Sequence, residues 1–451
     1  MVRKLFFFAA ILSFLTAGCI PLAASGAVDS AQAQAGLLLA PTVTTASNPT
    51  ATLLPLPTAT SLPLLPTPTP LPIDPASTQM QPPAQPAIPT VPISQVYGPD
   101  VYPPGINPLT GIPVSNPDNL AVPPVLVSIT NWPVTARPQA GLSFSDWVFE
   151  IFIGEGSSRF LALFYGDFPK KVISPVAAST TSDQVPVDDS AIGPIRSGRL
   201  PYESTRKLFN GSLVMASAAA QVAANLNGFT NVFGSDAGDI NSAMIKATQL
   251  EAVARANKLR LPANALNGLL FDPQAPAGGK DGQSAWLAYN LFDQVFWRYN
   301  AASGKYNRFQ DNADAKTFIE ATDRLNGAPL GMSNVIYLFA QHVVYNPTVI
   351  DINLLYITRM PALIFRDGKM YQVFWTTASG DYERQTGLMR PIRFMDAQGN
   401  PFPLKPGQTW VQIVPQFTPY YETVDSESYL DLANKKQPGS GHWAIRFFAP
   451  Q

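Results

Sequence analysis

Trp147-Val148-Phe149-Glu150-Ile151-Phe152-Ile153, followed a few residues later by Phe160-Leu161-Ala162-Leu163-Phe164-Tyr165, is the stretch on which the reading of the fold turns. Both runs are short, branched or aromatic, and bounded by Asp or Gly, which suits strands at the centre of a sheet. Val125 to Ile129 has the same character. Helical signals come only afterwards. Tyr202 to Phe209 follows a proline at a helix-start position, Ala218 to Leu226 is alanine-rich, and Gln249 to Leu259 sets Leu250, Val253, Ala254 and Leu259 close to one face. This order predicts an α/β or α+β domain with a mixed sheet and helices over residues 98–270.

Working outward, the turn-rich entry Gly98-Pro99-Asp100, Pro103-Pro104-Gly105 and Pro108-Leu109-Thr110-Gly111 marks the start of that domain. A patch from Asp272-Pro273 to Gly278-Gly279-Lys280-Asp281-Gly282 reads as a linker over 271–282. Beyond it, residues 283–451 read as β-rich. Val295 to Tyr299 and Lys305 to Phe309 flank a turn containing Gly304. Ala362 to Phe365 and Met370 to Trp375 flank Asp367-Gly368, a hairpin signal with φ > 0 chemistry. A third hairpin is expected from Ile392 to Met395 and Pro403-Leu404, either side of Gln398-Gly399-Asn400, with Thr409 to Val414 as a closing strand.

The amino end is of another kind. Arg3 and Lys4 precede the apolar run Leu5 to Leu15, which has signal-peptide rather than membrane-spanning length. The run ends in Thr16-Ala17-Gly18-Cys19, small residues before the chain's one cysteine, as in a bacterial lipobox. Residues 1–18 are therefore expected to be a lipoprotein signal and Cys19 the lipidated residue. Two or three acyl chains hold a protein stably at a membrane, where one does so only marginally. Residues 19–97, dense in Pro and Thr, are expected to form a disordered, polyproline-II-like tether, because each proline removes a donor and fixes φ.

Composition narrows the chemistry. Thirty Lys+Arg against 31 Asp+Glu argue against a nucleic-acid partner. One cysteine excludes disulfides within the chain, and two histidines far apart disfavour a metal centre, so no metal and no cofactor is expected.

Several ordered blocks resemble the YerB family of bacterial lipoproteins. In the first half they are Asn107-Pro108-Leu109-Thr110-Gly111, Ala136-Arg137-Pro138-Gln139-Ala140-Gly141-Leu142, Asp146 to Glu150 with Glu155-Gly156, Arg159 to Phe164, and Gly193-Pro194-Ile195-Arg196-Ser197-Gly198-Arg199. In the second half they are Trp297-Arg298-Tyr299 to Phe309, Ser333-Asn334-Val335-Ile336, and Asp396 to Asn400 with Pro406 to Trp410. The resemblance runs from about residue 105 to the end and implies two domains of unknown function. Family members usually carry a Pro-His-Asn-Leu-Tyr-like element after the first-domain helices. Here the chain reads Ile240-Asn241-Ser242-Ala243-Met244-Ile245, so no role of that histidine carries over.

Arg137, Arg159, Arg196 and Arg199, like Glu150 and Glu155, sit in or next to apolar segments, so several are expected to be partly buried and to pair or bind something. They either lock turns in a small polar network or line a cleft of guanidinium forks suited to a carboxylate, phosphate or acidic glycan. The loop Gly193 to Arg199 is the better candidate, since bracketing glycines can bring Arg196, Ser197, Arg199 and backbone N–H groups to one anion, with Arg159 joining from a neighbouring strand. It lacks the Lys-Ser/Thr ending of a P-loop. Asp146, Glu150 and Glu155 offer carboxylates for hydrolysis, but Glu150 and Glu155 are five apart and face opposite sides of a continuous strand unless Gly154 bends it. Ser197 has no obvious base, because His342 and His442 lie in the second region, where His342 reads as structural; Trp297, Trp375, Trp410 and Trp443 read as core. The expectation is an extracytoplasmic protein, lipid-anchored at the cell membrane, acting as a binding or interaction module for a cell-wall or other anionic envelope ligand. The alternative is an envelope hydrolase working on glycan or peptide through paired carboxylates.

Overall fold

The computed structural model describes residues 95–169, 191–234, 239 and 241–450. The expected signal, the lipidation site Cys19 and the tether up to residue 94 lie outside the described residues.

All six residues of Val125–Thr130 are buried, as they must be in a strand covered on both faces. Val125, Val127 and Ile129 enter one core and Leu126 the other. The strand belongs to a twelve-stranded mixed sheet whose main path runs Arg393–Met395, Lys369–Thr376, Met360–Arg366, Asn334–Asn346, Thr409–Pro415, Trp147–Gly154, Ser157–Phe164, Val125–Thr130, Ser212–Met215, Phe229–Asn231. Thr409–Pro415, expected as a closing strand, stands in the middle and runs parallel to both neighbours, Asn334–Asn346 and Trp147–Gly154. Strands from either side of residues 271–282 therefore share one sheet.

A seven-stranded sheet, with main path Phe318–Glu320, Lys305–Asp311, Asp293–Asn300, Ser284–Asn290, His442–Ile445, Tyr420–Thr423, shares a core with one face of the first. That core joins Val148, Phe160, Tyr337 and Trp410 to Leu287, Val295, Trp297 and Tyr306. On the opposite face Tyr202, Leu208 and Phe209 of the helix Pro201–Phe209 pack on Leu126, Phe149, Leu161 and Leu213. The helix opens on Pro201 and is stopped by Asn210 at φ 52, a left-handed C-cap. A third helix, Ala247–Ala256, buries Leu250 and Ala254 in the intersheet core. The alanine-rich run gives only Ala220–Ala223 as helix, shorter than the expected 218–226.

Two expected hairpins form. Asp293–Asn300 pairs Lys305–Asp311, and Met360–Arg366 pairs Lys369–Thr376 across Asp367 (φ 54) and Gly368 (φ 70), the two positive values a tight two-residue turn demands. The third does not. Arg393–Met395 pairs with Lys369–Thr376, Pro403–Leu404 pairs with Leu270–Phe271, and one bridge, Met395 to Pro401, links the flanks. The segment read as a linker is structured at both ends: Phe271 is fully buried, and Lys280–Asp281 pairs with Lys369 and Met370. The four tryptophans expected as core, Trp297, Trp375, Trp410 and Trp443, are buried, and so is Trp286. No helix among the described residues is long and apolar enough to cross a membrane.

Candidate functional site

Val125–Thr130 and Ser212–Met215 run parallel and pair over three residues, after which the segment 194–198 enters between them. The Thr130 amide donates to Pro194 O at 2.9 Å, the Arg196 amide to Ser128 O at 2.9 Å, the Ala216 amide to Arg196 O at 3.0 Å and the Gly198 amide to Ser217 O at 2.8 Å. Gly198 is forced here by space, because a Cβ would stand 2.3 Å from Met215 Sδ and 2.8 Å from Leu226 Cδ1. Gly193, at φ 146, lies in the region that favours glycine. Both bracketing glycines thus seat the loop.

Arg159 lies opposite Thr130 in register. It shares its face of Ser157–Phe164 with Leu161 and Leu163, the face on which Tyr202 packs. Its Nη1 donates to Ser197 O at 2.8 Å and to Ser197 Oγ at 3.0 Å. Arg199 Nη1 donates to the same Oγ at 2.9 Å and to Gly198 O at 3.0 Å. Two cations therefore fill the two lone pairs of the Ser197 hydroxyl, which leaves its own O–H as a donor. The Nε atoms of Arg159 and Arg199 are buried without a partner. Arg196 is half-buried, and its guanidinium makes no hydrogen bond or ion pair among the described residues. Burial, then the charges of Arg199 and Arg196, hold the Arg159 pKa down to about 10; burial lowers those of Arg196 and Arg199 as well. Among the described residues no carboxylate neutralises any of the three.

The other expected site residues are elsewhere. Glu150 is fully buried and points between the two sheets, away from Arg159. It pairs with Arg308 Nη2 at 3.2 Å and accepts from Ser158 Oγ, Trp410 Nε1 and Gln412 Nε2, each at 3.0 Å. Arg308 lies between the rings of Phe160 and Trp410, its Cζ 5.0 and 4.9 Å from their centroids. Arg137 donates to Asn131 O at 3.1 Å and to Asp311 O at 2.5 Å, and so locks backbone. Asp293, also buried, accepts from the Ser158 amide at 2.7 Å and from Asn131 Nδ2 at 3.0 Å; burial first, and then Glu150, pushes its pKa up to about 6. Glu155 is exposed in a turn at φ 51, after a bulge at Gly154. Asp146 is held by Asn107 Nδ2 at 2.8 Å and the Tyr165 amide at 2.6 Å. The three carboxylates are thus spread over a buried ion pair, an exposed turn and a backbone clamp, and do not converge.

The sequence reading missed Arg308, Asp293, Gln412 and Tyr289, whose hydroxyl donates to Gln412 Oε1 at 3.0 Å, as members of the buried network, although the alternation of Tyr306, Arg308 and Gln310 along one strand was a signal that Arg308 points inward. His342 is half-buried, with Nδ1 3.0 Å from Ala340 O, and desolvation of its ring pushes its pKa down to about 4; His442 Nδ1 lies 2.8 Å from Ser284 Oγ. Neither is bonded to Ser197. A cleft of about 590 Å³ starts one residue past Arg199, at Leu200, but it carries both signs of charge in Glu203, Lys207 and Asp351, and the three arginines do not line it.

A large mixed sheet with helices on both faces and a second sheet packed against it defines an α/β protein of two interlocked regions. Models of the DUF3048 family, described as N-terminal and C-terminal domains of a protein of unknown function, match residues 109–265 and 287–411, and the chain belongs to that family. The crystal structure of the YerB protein from Bacillus subtilis is similar with a TM-score of 0.52 at 23% identity, covering 68% of this chain and 96% of that one. A relative from Bacillus subtilis (strain 168), named "Putative lipoprotein YerB", is 24% identical over 309 residues, which is 65% of this chain and 81% of the relative.

Proposed function

We propose that this protein is a membrane-tethered envelope protein that captures an anionic ligand at Arg159, Arg196, Ser197 and Arg199. One observation carries the reading: Arg159 and Arg199 both donate to one serine hydroxyl, the charge of Arg196 is felt at Arg159, and no carboxylate among the described residues neutralises them. A strut made only for stability would be expected to pair its charges, because a buried unpaired cation is costly. The tether rests on the lipobox-like Thr16-Ala17-Gly18-Cys19 and on the printed name of the B. subtilis relative.

Arg196→Lys in the full chain tests the site, since lysine keeps the charge and loses the fork. A charge-assisted contact contributes about 1.5–3 kcal/mol, so affinity for anionic cell-wall fragments falls roughly tenfold or more while the melting temperature barely moves. If Arg196→Ala unfolds the protein and affinity in Arg196→Lys is intact, the arginine is a strut and the reading is wrong. The tether is tested separately by metabolic acyl labelling, which Cys19→Ser abolishes; unchanged labelling in that variant refutes the anchor.

A further inference from the structure

We infer that the ligand of the Arg159–Arg196–Arg199 cluster is a phosphate monoester, bound as its dianion; this rests on the anion-site reading above. The first argument is charge. A carboxylate or a phosphate diester brings one negative charge to three guanidinium groups that no carboxylate among the described residues neutralises, two of them donating to a single hydroxyl oxygen. A monoester brings nearly two at neutral pH. The second is shape. A carboxylate is planar and is satisfied by one fork, and a diester has two terminal oxygens, whereas a monoester has three and is tetrahedral. The donors left over here are of several kinds and are separated: the whole guanidinium of Arg196, the Ser197 O–H and the buried Nε atoms of Arg159 and Arg199.

The third argument is position. Val125–Thr130, Ser212–Met215 and Phe229–Asn231 are mutually parallel, and the loop carrying Arg196 and Ser197 enters at the carboxyl ends of the first two. Ligands of open α/β sheets sit outside those ends, where side chains from several strands can meet without disturbing the sheet's own hydrogen bonds. Arg159 reaches the same end from the start of an antiparallel strand. The loop itself is fixed, because its amides are spent on Ser128 and Ser217 and Gly198 is pressed on Met215 and Leu226. The arrangement is therefore preorganised, which lowers the ordering cost of binding.

Calorimetry on the full chain purified in detergent, at fixed ionic strength, separates the cases with three probes: phenyl phosphate, dimethyl phosphate and acetate. Phenyl phosphate at pH 7.5 is expected to bind at least tenfold more tightly than either monoanion. Its affinity is expected to weaken between pH 7 and 5 as it takes up its second proton near pH 6, while the arginines stay charged throughout. Arg196→Lys lowers phenyl phosphate affinity about tenfold with the melting temperature unchanged; Ser197→Ala lowers affinity as well, but also lowers the melting temperature because Arg159 and Arg199 lose a shared acceptor. Equal affinity for all three probes, or no weakening on acidification, overturns the monoester inference and leaves the anion site standing. Absence of binding by any probe, together with no effect of Arg196→Lys on wall-fragment binding, overturns both.

Discussion

At the scale of single residues the molecule uses its buried charges in two different ways. Glu150 has Arg308, Ser158, Trp410 and Gln412 around it, so its two oxygens are fully used and the pair fixes how the sheets meet. Arg159, the register partner of the neighbouring Ile151, is paired with no acid among the described residues. Strand parity separates them: Glu150 and Arg159 face opposite sides of one sheet, and that was derivable from the sequence once the strands were placed. Composition alone grouped them, because an arginine and a glutamate beside apolar runs look alike before faces are assigned. Asp293 supplies a pH test. Its folded pKa of about 6 lies above the 3.8 of an ordinary aspartate, so the folded chain holds the proton more tightly than the unfolded one. The ionised carboxylate then costs stability that is fully felt above about pH 6 and is relieved as pH falls towards 4. At about 1.4 kcal/mol per tenfold in proton affinity, the cost at neutral pH is on the order of 3 kcal/mol. Asp293→Asn removes this dependence, so urea midpoints of the natural protein gain on those of the variant as pH drops from 7 to 4. Parallel curves for the two proteins would contradict it.

Among elements, those set by local chemistry were legible and those set by distant partners were not. Asp367-Gly368 announces a hairpin because only such residues tolerate two consecutive positive φ values, and the hairpin is there. Gln398-Gly399-Asn400 carries a similar signal and does turn the chain, yet its flanks find other partners, since edge positions beside Lys369–Thr376 and Leu270–Phe271 are open to them. Thr409–Pro415 was readable as a strand, but nothing local says that it lies between two parallel neighbours. The Asp367 turn yields a prediction of its own. A Cβ on Gly368 would sit 2.9 Å from the Tyr299 ring as well as in a left-handed backbone, so Gly368→Ala is expected to lower stability by about 1–2 kcal/mol. Thermal unfolding measures this; a neutral substitution would mean that the turn relaxes.

For the whole molecule, the shared sheet makes residues 98–270 and 283–451 interdependent, whatever their separate family models. We expect one unfolding transition in urea, with tryptophan fluorescence and far-UV circular dichroism coinciding. Residues 98–270 expressed alone should be poorly soluble, because without Thr409–Pro415 the strand Trp147–Gly154 becomes a long apolar edge. Two separated transitions, or a soluble folded fragment, would show that the sheet is divisible. The central strand also sets a timetable. Glu150 and the Gln412 that bonds it are 262 residues apart in sequence, so a chain made amino end first has most of its length in place before the keystone strand arrives. Until then the edge at Trp147–Gly154 waits open through that whole delay and the edge at Asn334–Asn346 through its last part, so the emerging chain exposes first one and then both before the sheet closes.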